Sequence, residues 1–458
     1  MQLSRMLRVL VSHAMTSETK PVSSLTNPTV RIGLLGYGTV GSSLARLLIE
    51  RREALLEASG VNFELTKVAV RNPDKYDFDG PFTVSSSAED VVTDPDVDLV
   101  VELIGGIEPA RELILMALGA GKPVVTGNKE LIANHGLDLA KIANLNQVDL
   151  LFEASTAGAI PILRPLRESL LGEEVQQIVG IVNGTTNYIL SQMSETGAAF
   201  DDALAEAQRL GYAEADPTAD VEGHDAAAKA AIMSSIAFGG HIQEADVACE
   251  GITSVTAADT ETAKSLGYVI KLLAVCSSDS PDRISARVAP TLVPVGHPLA
   301  AVRGSYNAVF VRGSASSELM FYGRGAGGRP TASAVLGDIV DASRNLVQGT
   351  YRELPSPKLL GEQDPGVDQT SFFVVVEVDD TPGVLSEISG VFAKHQVSIN
   401  RVEQTPIAQS DEQDAQQMAR IVFTTQSASE SAFANLFEEL EDLTTVSKVV
   451  TKIRILDE

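Results

Sequence analysis

Residues 29–41 read TVRIGLLGYGTVG. An apolar, β-rich run over 29–35 meets Gly36-Tyr37-Gly38-Thr39-Val40-Gly41, a GxGxxG pattern. A helical pattern follows, with Leu44, Leu47, Leu48 and Leu55 on one face. Strand, glycine turn and helix in that order are the context a bound dinucleotide requires. Gly36 permits the tight turn, Gly38 lets backbone approach a pyrophosphate, and Gly41 packs the helix on the strand. The amides at the helix N-terminus then face the anion. The competing reading is a plain tight turn, which would not need the flanking strand and helix.

Working outward, the next expected strand is Phe63–Val70, ending at Arg71. NAD enzymes usually place an acidic residue here for the ribose hydroxyls. A guanidinium suits a 2′-phosphate instead, which favours NADP over NAD. The alternative for Arg71 is a loop arginine in solvent. Further buried-looking strands are expected at Asp98–Ile104, Pro123–Thr126 and Leu150–Phe152. Lys129 lies just past one strand end, the edge that lines the ligand crevice of open α/β sheets. This alternation predicts an α/β, doubly wound parallel sheet over 28–160. After Glu153 comes ASTAGAIP, whose small residues let several carbonyls turn to one point, as a hard cation needs. A loop leading into a helix is the other reading.

Residues 161–349 carry mixed signals that predict an α+β substrate domain. Strands are expected at Val175–Val182, Arg283–Val288, Ala308–Val311 and Leu319–Tyr322. Helices are expected over 185–196, 200–209, 222–238 and 331–346, the last packing back on the dinucleotide domain. Residues 211–229 read GYAEADPTADVEGHDAAAK, a cluster of carboxylates ending on Lys229. Asp225 and Lys229, at i and i+4, share a helix face. By itself this is also what an acidic surface loop with an intrahelical ion pair looks like. The glycine-rich 323–328 precedes another helix and suits either a backbone approach to a cofactor or a flexible loop. Residues 350–370 read as a linker. Residues 371–458 follow the order βαββαβ, which is ferredoxin-like.

The chain has 458 residues, enough for about three domains. Its formal charge of −26 argues against a nucleic-acid binder. No apolar run is long enough to cross a bilayer. Residues 1–27 read as a disordered extension with Met15 as an alternative start, and a cytoplasmic protein is expected. Cys249 and Cys276, among small and apolar neighbours, read as buried free thiols.

Three stretches together resemble homoserine dehydrogenase of the monofunctional, actinobacterial type, over residues 30–347: GIVNGTTNYIL (180–190), LGYAEADPTADVEGHDAAAKAAI (210–232) and FYGRGAGGRPTASAV (321–335). The tail resembles an ACT domain, through the turn Asp379–Leu385 and VSIN at 397–400. The resemblance implies reversible NAD(P)-dependent conversion of L-aspartate 4-semialdehyde to L-homoserine, within threonine, methionine and isoleucine biosynthesis. It implies Lys229 as proton donor and Glu214, Asp220 and Asp225 as substrate-binding carboxylates. Gly211 would lie near the nicotinamide, and Gly325 would be a late cofactor contact. Tyr37, Thr39 and Val40 would touch the cofactor, with Arg71 and Lys129 as phosphate or active-site contacts. Glu153, Thr156, Gly158 and Ile160 would hold a sodium ion, mostly through carbonyls. The family more often has an apolar residue at 156, which matters little to a carbonyl ligand. An ACT domain implies L-threonine as effector, with a purely structural or oligomerising tail as the alternative. A homodimer, or a homotetramer through the tail, is implied.

The chemistry is coherent with these residues. Aldehyde reduction needs a hydride from the cofactor and a proton at the oxygen. A lysine ammonium can stabilise the developing alkoxide and donate to it. Carboxylates can pair with the ammonium of an amino-acid substrate. No acyl-enzyme forms, so neither cysteine is required.

Overall fold

The structure is a computed structural model and describes residues 27–280, 282–355, 358, 365–407 and 418–457. The expected N-terminal extension, Asn27 apart, lies outside the described residues. The first unit is a six-stranded parallel sheet. Its strands are β1 (Thr29–Leu35), β2 (Asn62–Ala69), β3 (Thr83–Ser85), β4 (Leu99–Glu102), β5 (Val124–Thr126) and β6 (Leu150–Leu151), in the order β3-β2-β1-β4-β5-β6. Every residue of β4 and β5 is buried, as a parallel sheet covered on both faces requires. The helix Thr39–Glu50 buries Leu44, Leu47 and Leu48, each contributing about 2 kcal/mol. The strand order reverses between β1 and β4, which opens a crevice at their C-terminal ends.

A second, mixed sheet of eleven strands spans the remaining two units. The middle unit supplies β7 (Val175–Ile181), β8 (Ala248–Cys249), β9 (Tyr268–Ser280), β10 (Arg283–Pro294), β11 (Tyr306–Gly313) and β12 (Ser317–Arg324). The C-terminal unit adds β13 (Gln369–Asp379), β14 (Ile399–Pro406), β15 (Met418–Thr425), β16 (Ala428–Ser429) and β17 (Val446–Ile455). The order is β12-β11-β7-β9-β10-β17-β13-β15-β14, with β8 on β10 and β16 on β13. The two units join where β10 and β17 run parallel, at Thr291↔Arg454 and Leu292↔Ile455. Helices Val384–Lys394 and Glu430–Asp442 bury Ile388, Phe392, Phe433 and Leu436 on one face of the tail's strands.

Several expectations need correction. The longest strand, β9, has 13 residues and was not expected at all. Seven consecutive buried residues from Ile270 to Cys276 give it no alternation to read. The helix expected over 222–238 begins at His224, because Gly223 adopts a left-handed φ of 88° and separates it from the short helix Thr218–Val221. Cys276 is buried, but Cys249 is exposed, since β8 is a two-residue edge strand. The described part of 350–370 is fastened rather than free. Arg352 N–H donates to Asp149 at 2.7 Å, and Leu354 and Asn144 exchange two hydrogen bonds.

The helix Gly328–Gln348 returns to the first unit. A Cβ on Gly328 would lie 2.8 Å from the Thr39 carbonyl, so only glycine admits this approach. Val335, Leu336 and Ile339 share a buried cluster with Leu34 and Leu44. The chain thereby closes the middle unit against the dinucleotide crevice.

Candidate active site

A cavity of about 820 Å³ lies between these two units. Its floor is the helix His224–Phe238, whose first turn carries Asp225 and whose second carries Lys229. Lys229 is 9% exposed. Its Nζ donates to Asp225 Oδ2 at 2.7 Å and to the Val182 carbonyl at 2.7 Å. Lys129 comes from the other unit, at the start of the helix Lys129–Asn146, and its Nζ meets Asp225 Oδ1. One buried carboxylate therefore joins two ammonium groups across the interdomain cleft.

Charge and burial compete here. Burial pushes the Lys229 ammonium below the ordinary lysine range, and Asp225 offsets part of that effect. Burial would raise the Asp225 carboxyl, but Lys229 and Lys129 outweigh it and hold it well below the ordinary range. Burial also opposes the charge of Lys129, and there Asp225 prevails and raises it. The arrangement keeps Asp225 ionised and presents an ammonium that burial makes a readier proton donor.

Asn183 organises the acidic side. Its Nδ2 donates to Asp220 Oδ1 at 2.7 Å and to Asp225 Oδ2 at 2.8 Å. Its Oδ1 caps the helix Gly184–Thr196 by accepting from Thr186 N–H at 2.8 Å. Thr185 Oγ donates to the Tyr212 carbonyl at 2.8 Å, which holds the loop after Gly211 against this helix. Gly211, at φ 75°, ends the helix Phe200–Arg209 and lines the cavity. Glu214 also lines the cavity, and its exposed carboxylate has no hydrogen-bond partner among the described residues.

The nucleotide side has the expected backbone. A Cβ on Gly36, where φ is 98°, would lie 2.6 Å from the Leu103 carbonyl, and one on Gly41 would lie 2.1 Å from that of Gly36. A Cβ on Gly38 would meet nothing within 4 Å, so that face is open to a ligand. Tyr37 is 6% exposed, its ring packed 4.9 Å from that of Phe78, so only its backbone can face a phosphate. Thr39 and Val40 open the helix. Arg71 is exposed two residues past the pair Leu35↔Ala69, with no ionic or hydrogen-bond partner among the described residues.

The loop after β6 touches the glycine-rich segment. A Cβ on Gly158 would lie 2.2 Å from the Gly325 carbonyl, and one on Gly325 would lie 1.9 Å from Asn307 Nδ2. Gly325 is thus held to glycine by packing as well as by its place in the cavity. The Glu153 carboxylate is committed to the N–H groups of Ile162, Leu163 and Arg164, at 2.6 to 2.8 Å. The carbonyls of Thr156, Gly158 and Ile160 accept no hydrogen bond among the described residues. A cation at this loop would rest on carbonyls, since no cluster of three or more His, Cys, Asp or Glu suited to a metal occurs among the described residues.

Two side chains that order the walls of the cleft escaped the sequence reading. Asn183 lay inside a quoted motif without a role. Glu102, fully buried at the end of β4, accepts from Ile104 N–H at 2.8 Å, Gly105 N–H at 3.0 Å and Thr126 Oγ at 2.5 Å. Thr126 in turn accepts from Asn128 N–H at 3.0 Å, just before Lys129. A carboxylate ending an otherwise apolar strand was the available signal.

Comparison with known proteins covers nearly the whole chain. The family model "Homoserine dehydrogenase" matches residues 161–340, its NAD-binding-domain model matches 36–153, and the ACT-domain model matches 372–444. The homoserine dehydrogenase of Corynebacterium glutamicum is 47% identical over 93% of this chain and 95% of its own. The crystal structure of a homoserine dehydrogenase from Thiobacillus denitrificans superposes with a TM-score of 0.87 at 39% identity, over 94% of this chain and 98% of that one. A hyperthermophilic archaeal homoserine dehydrogenase mutant in complex with NADPH, 30% identical, covers 71% of this chain and 99% of its own with a TM-score of 0.60. Fold and sequence agree over nearly the whole length, and the chain belongs to the homoserine dehydrogenase family of oxidoreductases, with a C-terminal ACT domain.

Proposed function

We propose that this chain catalyses the reversible reduction of L-aspartate 4-semialdehyde to L-homoserine with a preference for NADP. The observation that carries the proposal is the buried Asp225 shared by Lys229 and Lys129 between the two domains. The cofactor, when bound, supplies the hydride. Gly36, Gly38 and Gly41 would admit its pyrophosphate, and the unpaired Arg71 suits a 2′-phosphate. The archaeal relative's complex with NADPH is in line with a 2′-phosphorylated cofactor in this crevice.

Lys229 would hold the substrate's carbonyl oxygen, stabilise the negative charge that develops there, and deliver a proton. Asp225 orients that ammonium. Glu214, with no partner, and Asp220, held by Asn183, would take the substrate's ammonium. Lys129 adds positive charge beside the same carboxylate. Glu153, Thr156, Gly158 and Ile160 would hold a sodium ion by carbonyls, fixing the loop beside Gly325.

The pathway role we infer is in threonine, methionine and isoleucine biosynthesis, in the cytoplasm, with L-threonine acting through the ACT domain and a homodimer or homotetramer as the assembly. No helix among the described residues is long and apolar enough to cross a membrane. The decisive experiment follows NADP reduction at 340 nm as an absorbance, with L-homoserine, against NAD, and with and without L-threonine. Homoserine-dependent reduction that favours NADP is expected. Its absence with both cofactors would sink the proposal.

A further inference from the structure

One short segment ties the cleft floor to the ACT domain. β8 pairs with β10 at Arg287↔Ala248 and Val288↔Cys249, and Glu250 N–H continues the ladder to the Val288 carbonyl at 2.8 Å. The same segment grips the active-site turn. Ile252 N–H donates to the Val221 carbonyl at 2.8 Å, and Cys249 Sγ lies 3.3 Å from the Glu222 carbonyl. No slack remains between them. A Cβ on Gly251 would lie 2.4 Å from the Val221 carbonyl, and one on Gly223 would lie 2.9 Å from Cys249 Sγ. Val221–Gly223 is the turn that separates Asp220 from Asp225.

The Glu250 carboxylate reaches the other way, to the ACT domain. It accepts from Arg454 Nη1 at 3.0 Å. Arg454 stands on β17, holds Glu430 through Nε at 2.7 Å and Nη2 at 3.1 Å, and lies over the Phe372 ring at 5.2 Å. Three fixed contacts leave the guanidinium little freedom, so it offers Glu250 a rigid anchor. Glu250 itself is half exposed, so the fixed end of the link is Arg454 and the packed end is the contact of Gly251 and Cys249 with the turn.

We propose that Glu250 is a positioning residue for substrate binding. Arg454 of the ACT domain holds residues 248–252 against Val221–Gly223, and this contact sets the spacing of Asp220 and Asp225 in the cleft. A shift of β17 then reaches the affinity for the amino-acid substrate and leaves the nucleotide side untouched, since the segment's hydrogen bonds among the described residues go to the middle unit and the ACT domain. The inference rests on the reading of Asp220 and Asp225 as substrate-binding and orienting carboxylates.

The test is steady-state kinetics on the full-length chain with L-homoserine and NADP. Glu250→Ala and Arg454→Ala should each raise KM for L-homoserine about tenfold, the equivalent of about 1.4 kcal/mol, with kcat and KM for NADP within about twofold. The double variant should match the single ones, because both remove the same contact. Glu250→Gln keeps an acceptor for Arg454 and should recover most of the affinity. Lys452→Ala, which removes an ion pair to Glu441 inside the ACT domain, should change nothing. Unchanged KM for L-homoserine in both single variants, or multiplying effects in the double one, would overturn the proposal. If Arg454→Ala does not fold, the contrast of Glu250→Ala with Glu250→Gln decides alone. A wild-type chain inactive on L-homoserine would refute the proposed function instead.

Discussion

Lys229 and Asp225 sit one turn apart on a buried helix, with 2.7 Å between Nζ and carboxylate oxygen. Exposed pairs of this spacing contribute a few tenths of a kcal/mol to a helix. This one lies inside a cleft, shares its carboxylate with Lys129, and feels little screening. That setting is what the proposed proton delivery by Lys229 requires, and it sets the pair apart from one that merely supports a helix.

Removing Lys229 therefore separates chemistry from binding. We expect Lys229→Ala to lower kcat about a thousandfold, within the usual range for a lost general acid. Cofactor affinity, measured by NADPH fluorescence titration, should stay close to wild type. Turnover within tenfold of wild type would exclude Lys229 as the donor.

Asn183 holds Asp220 and Asp225 together, and a change there should be felt by the substrate. Asn183→Ala is expected to raise KM for L-homoserine about tenfold and to lose about 1 kcal/mol of stability as a missing helix cap. Asn183→Asp keeps the cap but places a third carboxylate against two others. It should bind L-homoserine worse than the alanine variant does. The reverse ranking in kinetics would show that bridging is not its role.

Arg71 stands unpaired beside the glycine loop, so its role rests on the cofactor alone. Arg71→Ala should raise KM for NADPH by about tenfold or more, the scale of one charge-assisted contact. KM for NADH should move far less. Equal effects on both cofactors would remove Arg71 from the phosphate site.

Lys271 is a buried lysine that the reaction does not use. It is 3% exposed and, among the described residues, donates only to neutral acceptors, Asn187 Oδ1 at 2.9 Å and the Val302 carbonyl at 2.6 Å. Burial, with Arg303 nearby, brings its pKa down from 10.5 to about 8. Between these values the unfolded chain holds a proton that the folded one has lost, so stability rises with pH across that window. The rise amounts to about 3 kcal/mol. Chemical denaturation of wild type and Lys271→Met at pH 7.5 and pH 10.5 measures it. The difference between the two proteins should change across this interval in the wild type's favour. A constant difference would show that Lys271 titrates normally.

Much of the fold was legible because its signals are local. The turn at Gly36–Gly41 needs particular glycines at particular places, and the βαββαβ order of the tail follows from short periodic segments. β9 was not legible, because a strand buried on both faces shows no alternation. The start of the helix at His224 depended on Gly223, which takes a left-handed φ and leaves no room for a Cβ against Cys249 and Val288. Nothing in 220–230 alone reveals those neighbours.

The sequence by itself determined the nucleotide-binding loop, the acidic stretch with Lys229 at its end, and the resemblance that joins them. Those features depend on residue type at short spacing, where the backbone allows few outcomes. Only the tertiary structure decided what the acidic stretch faces. Lys129 and Asp225 are 96 residues apart, and Asn183 and Asp220 are 37 apart. Such pairs exist because two domains close over a crevice and bury one carboxylate among several donors. Burial then lowers Lys229 while the two ammonium groups hold Asp225 ionised, properties of the surroundings that no local pattern carries.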